Sequence, residues 1–396
     1  MLGEQRDVPD PRLRMARIRV LTHFVLMGAT SGVWLARIPA IKDQLALNDA
    51  ALGAALFAIP VGSITMMVFA GALVDRFGSG RLMRIGVMAA GTLLIPPGWA
   101  PGLPALCAVL LLFGASLCVL NIAINAAAVH VERDYGRPIM ASFHAAYSIG
   151  GGVGAAFGGI CAGLGAPPGL TFVLAAVCVA GITGIARGPI GDPGAPAADE
   201  GTSRTHGPPS RLSRSTTLLG LLALCGSLAE GAIADWSGVY LQDSLGTSAG
   251  FAASGFAVFS VFIAAGRVVG DRMAARYGPV RLVRGSGLLA AAGLGLGLVS
   301  AHPAGALVGI AAAGAGLSCL VPQVITAAGN AQAARSGRNI AKVSALSSVG
   351  NLSGPVLIGA VATATGLPSA LAIPVALAFA MAAFAGAVAP AGLSRS

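Results

Sequence analysis

The sequence predicts an all-α integral membrane protein whose twelve transmembrane helices form two pseudo-symmetric six-helix bundles. Three observations support this fold class. The 396 residues are 55% hydrophobic and only 10% charged, whereas a soluble globular chain carries about 25% charged residues. The chain contains twelve apolar runs close to the roughly 20 residues that a helix needs to cross a bilayer. A charged turn also recurs at the same place in both halves, which is typical of transporters built from internal repeats.

The apolar runs set the predicted spans and domain limits. Only a Gly and Pro cluster at 165–169 separates the fifth run from the sixth. We expect tails at 1–17 and 392–396, six-helix bundles at 18–187 and 215–391, and a Pro- and Gly-rich linker at 188–214. The twelve spans are expected near 18–37, 50–74, 81–99, 104–130, 139–164, 168–187, 215–241, 249–270, 281–300, 303–329, 340–364 and 367–391.

The repeated charged turn follows spans 2 and 8, and we expect it to gate one side of a central cavity. An acidic residue there can meet the positive N-terminal end of a neighbouring helix, and arginines can bind carboxylates or carbonyls across the seam between the halves. The alternative is a solvated turn that only sets topology. The gate residues are Gly71, Asp75, Arg76, Gly78 and Arg81 in the first copy, and Arg267, Asp271 and Arg272 in the second.

The net charge of +10 follows membrane topology rather than a nucleic-acid surface. Of the 25 Lys and Arg residues, all but Arg37 and Lys42 fall toward one side of the predicted spans. This positive-inside pattern predicts a multi-pass protein of the cytoplasmic (inner) membrane, with both termini in the cytoplasm and contacts to membrane lipid. The Arg-rich amino terminus does not read as a cleavable signal peptide. The sequence contains no basic, aromatic-interleaved module for nucleic acid.

The sequence also lacks the patterns of metal and nucleotide sites. The six cysteines all fall inside predicted spans, without a Cys-x-x-Cys pair or a histidine at metal-ligand spacing. The two lysines, Lys42 and Lys342, follow Ile and Ala rather than the glycine of a phosphate-binding loop. We therefore expect no cofactor and no enzyme activity, and we expect transport to depend on ion gradients.

The chain resembles the major facilitator superfamily of secondary transporters over essentially its whole length. The resemblance is carried by twelve spans, a central linker and the Gly-x-x-x-Asp-Arg-x-Gly turn at 71–78. It implies alternating access around one central site in a monomer, with coupling to protons. Three departures weaken a drug–proton antiport interpretation, and one of them is the absence of a proline from the glycine-rich span 5. Asp271 comes four positions earlier relative to the shared glycine, and span 4 lacks an arginine common in proton-driven members.

Polar side chains form a band at similar depth in five spans from both halves. With a rise of about 1.5 Å per residue, they lie roughly 12–22 Å from the cytoplasmic end of each predicted span. Because polar groups at membrane depth usually face a cavity, the band predicts a central site for a small polar or amphipathic organic solute. Its members are Asn121, Tyr147, Glu230, Gln323 and Asn351.

Glu230 is the main candidate for coupling transport to protons. We expect an unpaired carboxyl at this depth to exchange a proton in each cycle, because desolvation disfavours its charged form. The following Gly231 permits local unwinding of the helix. The alternative is a structural carboxyl. Asp235 and His144 are further proton-coupling candidates, although Asp235 could instead form a cap or a pair near the extracellular end.

Two patterns concern single helix faces. Asn121 and Asn125 are one turn apart in span 4, and they either bind the solute or hydrogen-bond between helices. Gly150, Gly154 and Gly158 form a small-residue stripe in span 5, for which we expect helix packing rather than a site.

Three side chains near the extracellular ends have several interpretations. Arg37 has four alternative roles. It could close the extracellular mouth of the cavity, pair with Asp235, attract an anionic solute, or anchor the helix by extending its charged end into water. Trp34 and Trp236 either line the cavity as binding residues or belong to an interfacial aromatic belt. The segment 41–48 is mildly amphipathic and predicts a short extracellular helix rather than a site.

Together these features predict a secondary active transporter that works by alternating access with coupling to protons. A drug or metabolite efflux antiporter is the close alternative. A non-transporting receptor or scaffold is the alternative of a different class, but the linker and tails are too short to hold a signalling domain. A phosphate ester is a poor candidate solute, since it would require more buried Arg or Lys.

Overall fold

The computed structural model describes residues 11–136, 139–186, 214–330 and 336–389. The predicted linker lies outside these residues except for Arg214, as do most of the predicted tails. Helix α1 begins at Pro11, so the first helix extends into the predicted amino-terminal tail. The first half contains α1 (Pro11–Gln44), α2 (Asp49–Phe77), α3 (Ser79–Leu93), α4 (Leu103–Tyr135), α5 (Met140–Gly163) and α6 (Pro168–Ile185).

The second half repeats this plan with two interrupted spans. The predicted tenth span is divided into α10 and α11, and the twelfth into α13 and α14. A π-helical turn at Tyr240–Ser244 extends α7. The helices are α7 (Arg214–Val239), α8 (Ala249–Tyr277), α9 (Pro279–Val299), α10 (Pro303–Leu317), α11 (Leu320–Asn330), α12 (Ser336–Thr365), α13 (Leu367–Ala370) and α14 (Ala372–Ala383).

The predicted all-α membrane fold with two six-helix bundles is confirmed. Ten helical segments within the described ranges are long and apolar enough to cross a membrane. The 15-residue α3 and the shorter apolar segment Leu367–Ala383 complete the twelve predicted spans. We call the end of the bundle at which α1 begins the linker face, and the end at which α1 finishes the far face.

The charged turn is structurally the same in both halves. Gly78 ends α2 and Gly278 ends α8, each with a φ of 79°. In each copy the glycine N–H donates to a carbonyl four residues earlier, that of Val74 or Ala274. This φ is unfavourable for residues with a Cβ, so the glycine is what allows the chain to leave one helix and begin the next without a loop.

Glycines bring α1 and α5 into direct backbone contact. A Cβ added at Gly154 would lie 2.1 Å from the carbonyl oxygen of Ala29, and one at Gly150 would lie 2.1 Å from that of Val25. In the second half, a Cβ at Gly350 would lie 2.3 Å from the carbonyl oxygen of Leu224, which joins α12 to α7. The glycine stripe of span 5 therefore packs helices, as the sequence predicts.

The two halves meet tightly at the far face. A Cβ at Gly53 of α2 would lie 2.6 Å from the carbonyl oxygen of Pro355 in α12. At the same level, a Cβ at Gly250 of α8 would lie 3.2 Å from the Cα of Gly163 in α5. These contacts leave no room for a passage between the paired helices at this end.

Toward the linker face the halves separate around a cavity. The α2 residues that line the cavity continue from Leu56 to Met67, and Met67 lies about four turns beyond the close contact at Gly53. At Gly71, one further turn along, an added Cβ would meet no heavy atom within 4 Å. The described arrangement is therefore closed at the far face and open toward the linker face.

Candidate functional site

The central cavity lies between the two halves and consists of three adjoining recesses of about 610, 380 and 590 Å³. Glu230 of α7 and Arg267 of α8 line all three recesses. His144 and Tyr147 of α5 each line two of them, so both halves contribute polar groups. An acidic side chain, Glu230, and a basic side chain, Arg267, therefore lie where the three recesses meet.

Glu230 and Arg267 form an ion pair, with the Arg267 Nη2 donating to the Glu230 Oε1 at 3.0 Å. Their side chains keep 31% and 34% of their surface exposed, so the pair faces the cavity and is not sealed in the core. The expectation that Glu230 is unpaired was wrong. Arg267 was assigned to the charged turn, but it lies well before the end of α8 at Tyr277 and faces Glu230 instead.

Gly231 serves close packing, not unwinding. Helix α7 is continuous from Arg214 to Val239, so the unwinding expected at Gly231 is absent from the described helix. A Cβ at Gly231 would lie 2.9 Å from the Asn351 Oδ1. The glycine therefore allows the amide of α12 to approach α7 next to Glu230, where both Asn351 and Glu230 line the cavity.

Asp235 lies on α7 nearer the far face and lines one recess with Glu230 and Arg267. Pairing with Arg37, one of the alternatives that the sequence left open, is wrong. The Arg37 Nη2 donates to the carbonyl oxygen of Ala166 at 2.6 Å, in the turn between α5 and α6. Arg37 is only 3% exposed, so it ties α1 to that turn and is not a snorkelling anchor.

The first half supplies the other side of the cavity. The exposed His144 ring packs edge-on against Phe24, with ring centroids 5.6 Å apart. Asn121 is exposed and lines the cavity. The Asn125 Nδ2 donates to the Asn121 carbonyl oxygen at 2.8 Å and to its Oδ1 at 3.0 Å. These bonds run along α4, so the pair does not make the expected hydrogen bond between helices. Solute binding by Asn121 and Asn125 remains a prediction.

Gln323 of α11 lines the recess that also contains His144 and Glu230. The two tryptophans lie elsewhere. Trp34 is 3% exposed, with its ring centroid 6.5 Å from that of Phe113 in α4. Trp236 is fully buried. Both side chains are therefore part of the packed core near the far face, and not of a lipid-facing aromatic belt.

The charged turn is exposed in this arrangement. Asp75, Arg76 and Arg81 are exposed. The guanidinium carbons of Arg76 and Arg81 lie 5.3 and 6.0 Å from the centroid of the Phe77 ring. Arg272 is exposed on α8, and the side chain of Asp271 lies outside the described residues. The gating role of these residues remains a prediction for the state in which the linker face closes.

Comparison with known sequences identifies a common family. The sequence matches the profile of the Major Facilitator Superfamily over residues 20–331 and 219–392. An uncharacterized MFS-type transporter of Yersinia pestis is 33% identical over 373 residues, covering 92% of this chain and 94% of that protein. An uncharacterized transporter of Sinorhizobium fredii is 31% identical, covering 87% and 90%. The membrane protein MosC of Rhizobium meliloti is 28% identical, covering 93% and 89%.

Solved structures share the same fold at low sequence identity. The nucleoside transporter NupG superposes with a TM-score of 0.72 at 12% identity, covering 96% of this chain and 99% of NupG. A bacterial homologue of the lysosomal transporter Spinster, inward-facing and occupied, gives 0.72 at 15% identity, covering 96% and 97%. The transporter FucP in its outward conformation gives 0.58 at 18% identity, covering 93% and 98%.

Proposed function

Because the chain belongs to the major facilitator superfamily, we propose that this membrane transporter is a secondary active transporter that moves a small polar or amphipathic organic solute by alternating access with coupling to protons. The observation that carries the proposal is the Glu230–Arg267 ion pair, which faces a cavity lined by both halves. A transporter needs a central group that changes its interactions in step with the gradient.

The geometry favours a rocking motion around this ion pair. The halves touch through glycines at the far face and separate toward the linker face. Exchanging which end is closed would expose the same cavity to the opposite side of the membrane. We assign the linker face to the cytoplasm, in line with the excess of basic residues on that side. The protein would then lie in the inner membrane as a monomer with both termini in the cytoplasm.

We infer that Glu230 is the coupling group because its ion pair with Arg267 forms only when the Glu230 carboxylate is charged. When Glu230 takes up a proton, Arg267 loses its ionic partner and becomes free to bind the solute or another acceptor. A guanidinium without a partner is costly to occlude in a low-dielectric cavity. The two protonation states of Glu230 therefore bias the closing of the cavity differently, which is how a gradient shifts a conformational equilibrium.

The lining residues favour an uncharged or weakly charged solute. The cavity offers amide, phenol and imidazole groups from Asn121, Asn351, Tyr147 and His144. These groups suit the hydroxyls and amides of a polar organic molecule. Among the described residues that line the three recesses, Arg267 is the single Arg or Lys, so even when Glu230 is protonated the cavity offers one guanidinium to a phosphate ester.

A ligand screen followed by flux measurement tests the proposal. We expect a small polar organic solute to raise the apparent Tm of the purified protein in a metabolite and drug library. In proteoliposomes, the same solute should move against its concentration gradient when a pH gradient is imposed. Accumulation toward the cytoplasmic side supports uptake, and extrusion supports the efflux antiporter. A stabilising ligand without flux under any gradient would contradict transport and favour a receptor.

A further inference from the structure

A second set of polar residues lies at the far face, outside the cavity. The turn between α1 and α2 and the turn between α7 and α8 have related sequences, at the same offset that relates Gly78 to Gly278. Both turns contain a positive φ, 47° at Ala46 and 64° at Gly246. Both are followed by a side-chain cap, in which Asn48 accepts from the Ala51 N–H and Ser248 from the Phe251 N–H. The far-face turns are therefore a duplicated structure, like the charged turns at the linker face.

The duplicated turns contact each other reciprocally across the two halves. The Lys42 ammonium of α1 forms an ion pair with the Asp243 carboxylate at the end of α7. The Gln242 Nε2 donates to the Asp43 Oδ2 at 2.6 Å. Positions 42 and 242 correspond in the repeat, as do positions 43 and 243. Each half therefore offers a donor to the carboxylate of the other half, with approximate two-fold symmetry.

Burial and local geometry make this contact more than a pair of surface charges. The Lys42 side chain is only 13% exposed, and its ammonium also lies 2.6 Å from the Asp49 Oδ1 of its own half. Gln242 and Asp243 belong to the π-helical turn at Tyr240–Ser244, which widens the last turn of α7. The corresponding end of α1 is α-helical, so this widening is specific to the second half.

We propose that Lys42, Asp43, Gln242 and Asp243 form a far-face latch that holds the outer mouth shut while the cavity is open to the linker face. The inference rests on the proposed function, because a latch is useful only if the two faces open in turn. Opening the far face separates the two turns, and each donor must then exchange its carboxylate partner for water. Asp49 stays with Lys42 in the same half, so we expect it to hold the lysine when the latch is open.

The latch is expected to shift the balance between the two states by a modest factor. Partly exposed ion pairs are worth about 0.2–1 kcal/mol, and 1 kcal/mol corresponds to a shift of about fivefold. Removing one partner of the Lys42–Asp243 pair should therefore raise the fraction of far-face-open molecules about 1.4- to fivefold. The effect should weaken as ionic strength rises, since salt screens exposed charges.

Thiol labelling in detergent measures this fraction without any need for a transported solute. Ala253 of α8 is 2% exposed, and its Cβ would lie 3.0 Å from a Cβ built at Gly159 of α5. A cysteine introduced by Ala253→Cys should react with a polar maleimide only when the far face opens. Background labelling of the six native cysteines is measured in the same chain without this reporter.

We expect Lys42→Gln and Asp243→Asn each to raise the labelling rate at position 253 about 1.4- to fivefold. The double variant Lys42→Gln with Asp243→Asn should be labelled no faster than the faster single variant, because both substitutions remove the same contact. Lys342→Gln, which changes the only other lysine, is the matched control and should leave the rate unchanged. Equal labelling rates in the parent, Lys42→Gln and Asp243→Asn proteins would overturn the latch. So would a double variant whose rate increase equals the product of the two single increases, because independent effects multiply. Neither result would affect the test of transport.

Discussion

The pairing of Glu230 with Arg267 is the residue-scale feature that the sequence only half predicts. Glu230 was found from its depth in an apolar span, since a charge there must face a cavity or a partner. The same argument applies to Arg267, which lies inside the predicted span 249–270 and not beyond it. Grouping Arg267 with the charged turn by sequence similarity concealed this signal. A basic and an acidic residue at membrane depth in consecutive spans are candidates for one ion pair.

Packing explains why other residue predictions failed. Trp34 and Trp236 are large apolar groups near helix ends, and such residues suit a cavity wall, an aromatic belt or a helix interface equally well. The contact with Phe113 and the close approach of the far-face helices place the two tryptophans in the packed core. Those contacts join residues distant in sequence, so no local pattern reveals them.

Replacing Arg267 should be more damaging than replacing both members of the ion pair. Arg267→Gln leaves the Glu230 carboxylate without its partner in the cavity, which costs more than the pair itself contributes. We expect a lower apparent Tm than in the parent protein, and partial recovery in the double variant Glu230→Gln with Arg267→Gln. Thermal unfolding in detergent measures both. Arg276→Gln, at an exposed position on the same helix, is the control, and an equal loss in that variant would contradict the prediction.

At the scale of elements, hydropathy and repeat symmetry predict most of the architecture. Twelve apolar runs and a duplicated glycine turn are local signals, and they identify the spans and the α2–α3 and α8–α9 connections. The division of the tenth span at 318–319 was missed, although Pro322 is a local signal for it, because proline has no N–H to donate to the Ser318 carbonyl four residues earlier. A Cβ at Gly266 of α8 would lie 2.1 Å from the Ser318 Oγ, so the interruption lies where another helix packs closely.

The contact between α1 and α5 should tolerate no side chain at its centre. A Cβ at Gly154 would lie 2.1 Å from one backbone oxygen and 2.7 Å from the Cα of Ala29, so the helices must move apart. We expect Gly154→Ala to destabilise the protein by about 1–3 kcal/mol, the usual cost of overpacking. The apparent Tm in detergent and the yield of folded protein report this loss.

Gly181→Ala is the matched control for this contact, because a Cβ at that position of α6 meets no heavy atom within 4 Å. This substitution should leave the apparent Tm unchanged or raise it, since alanine favours a helix over glycine by about 0.5–1 kcal/mol. Equal Tm values for Gly154→Ala and the parent protein would mean that the α1–α5 contact is looser than described.

At the scale of the whole molecule, the distribution of basic residues predicts which end faces the cytoplasm. Ser244 is exposed at the far face, at the end of α7. In intact cells, a cysteine introduced by Ser244→Cys should react with an impermeant thiol reagent. One introduced by Ser210→Cys in the predicted linker should react only after the membrane is permeabilised. The reverse pattern of labelling would overturn the orientation, and the parent chain gives the background.

Both ends of the molecule contain a duplicated turn, but the repeat is easier to recognise in the sequence at the linker face than at the far face. The charged turn at the linker face is visible as a repeated motif, whereas the far-face turns share only a few identities, such as Asp43 with Asp243 and Leu45 with Leu245. Their reciprocal pairing depends on how the halves approach each other. The segment 41–48 was therefore not predicted to contain functional residues, although it repeats at the offset that defines the two halves.

The measurement that tests the central claim most directly is proton-driven accumulation by the Glu230→Gln variant in proteoliposomes. Glutamine resembles the protonated carboxyl in shape and polarity but cannot release a proton. We expect the variant to bind the solute and to exchange it across the membrane in counterflow, because neither process requires net proton movement. Accumulation driven by an imposed pH gradient should be lost. Accumulation at the parent rate under the same gradient would contradict a coupling role for Glu230 and leave Asp235 and His144 as the groups to examine.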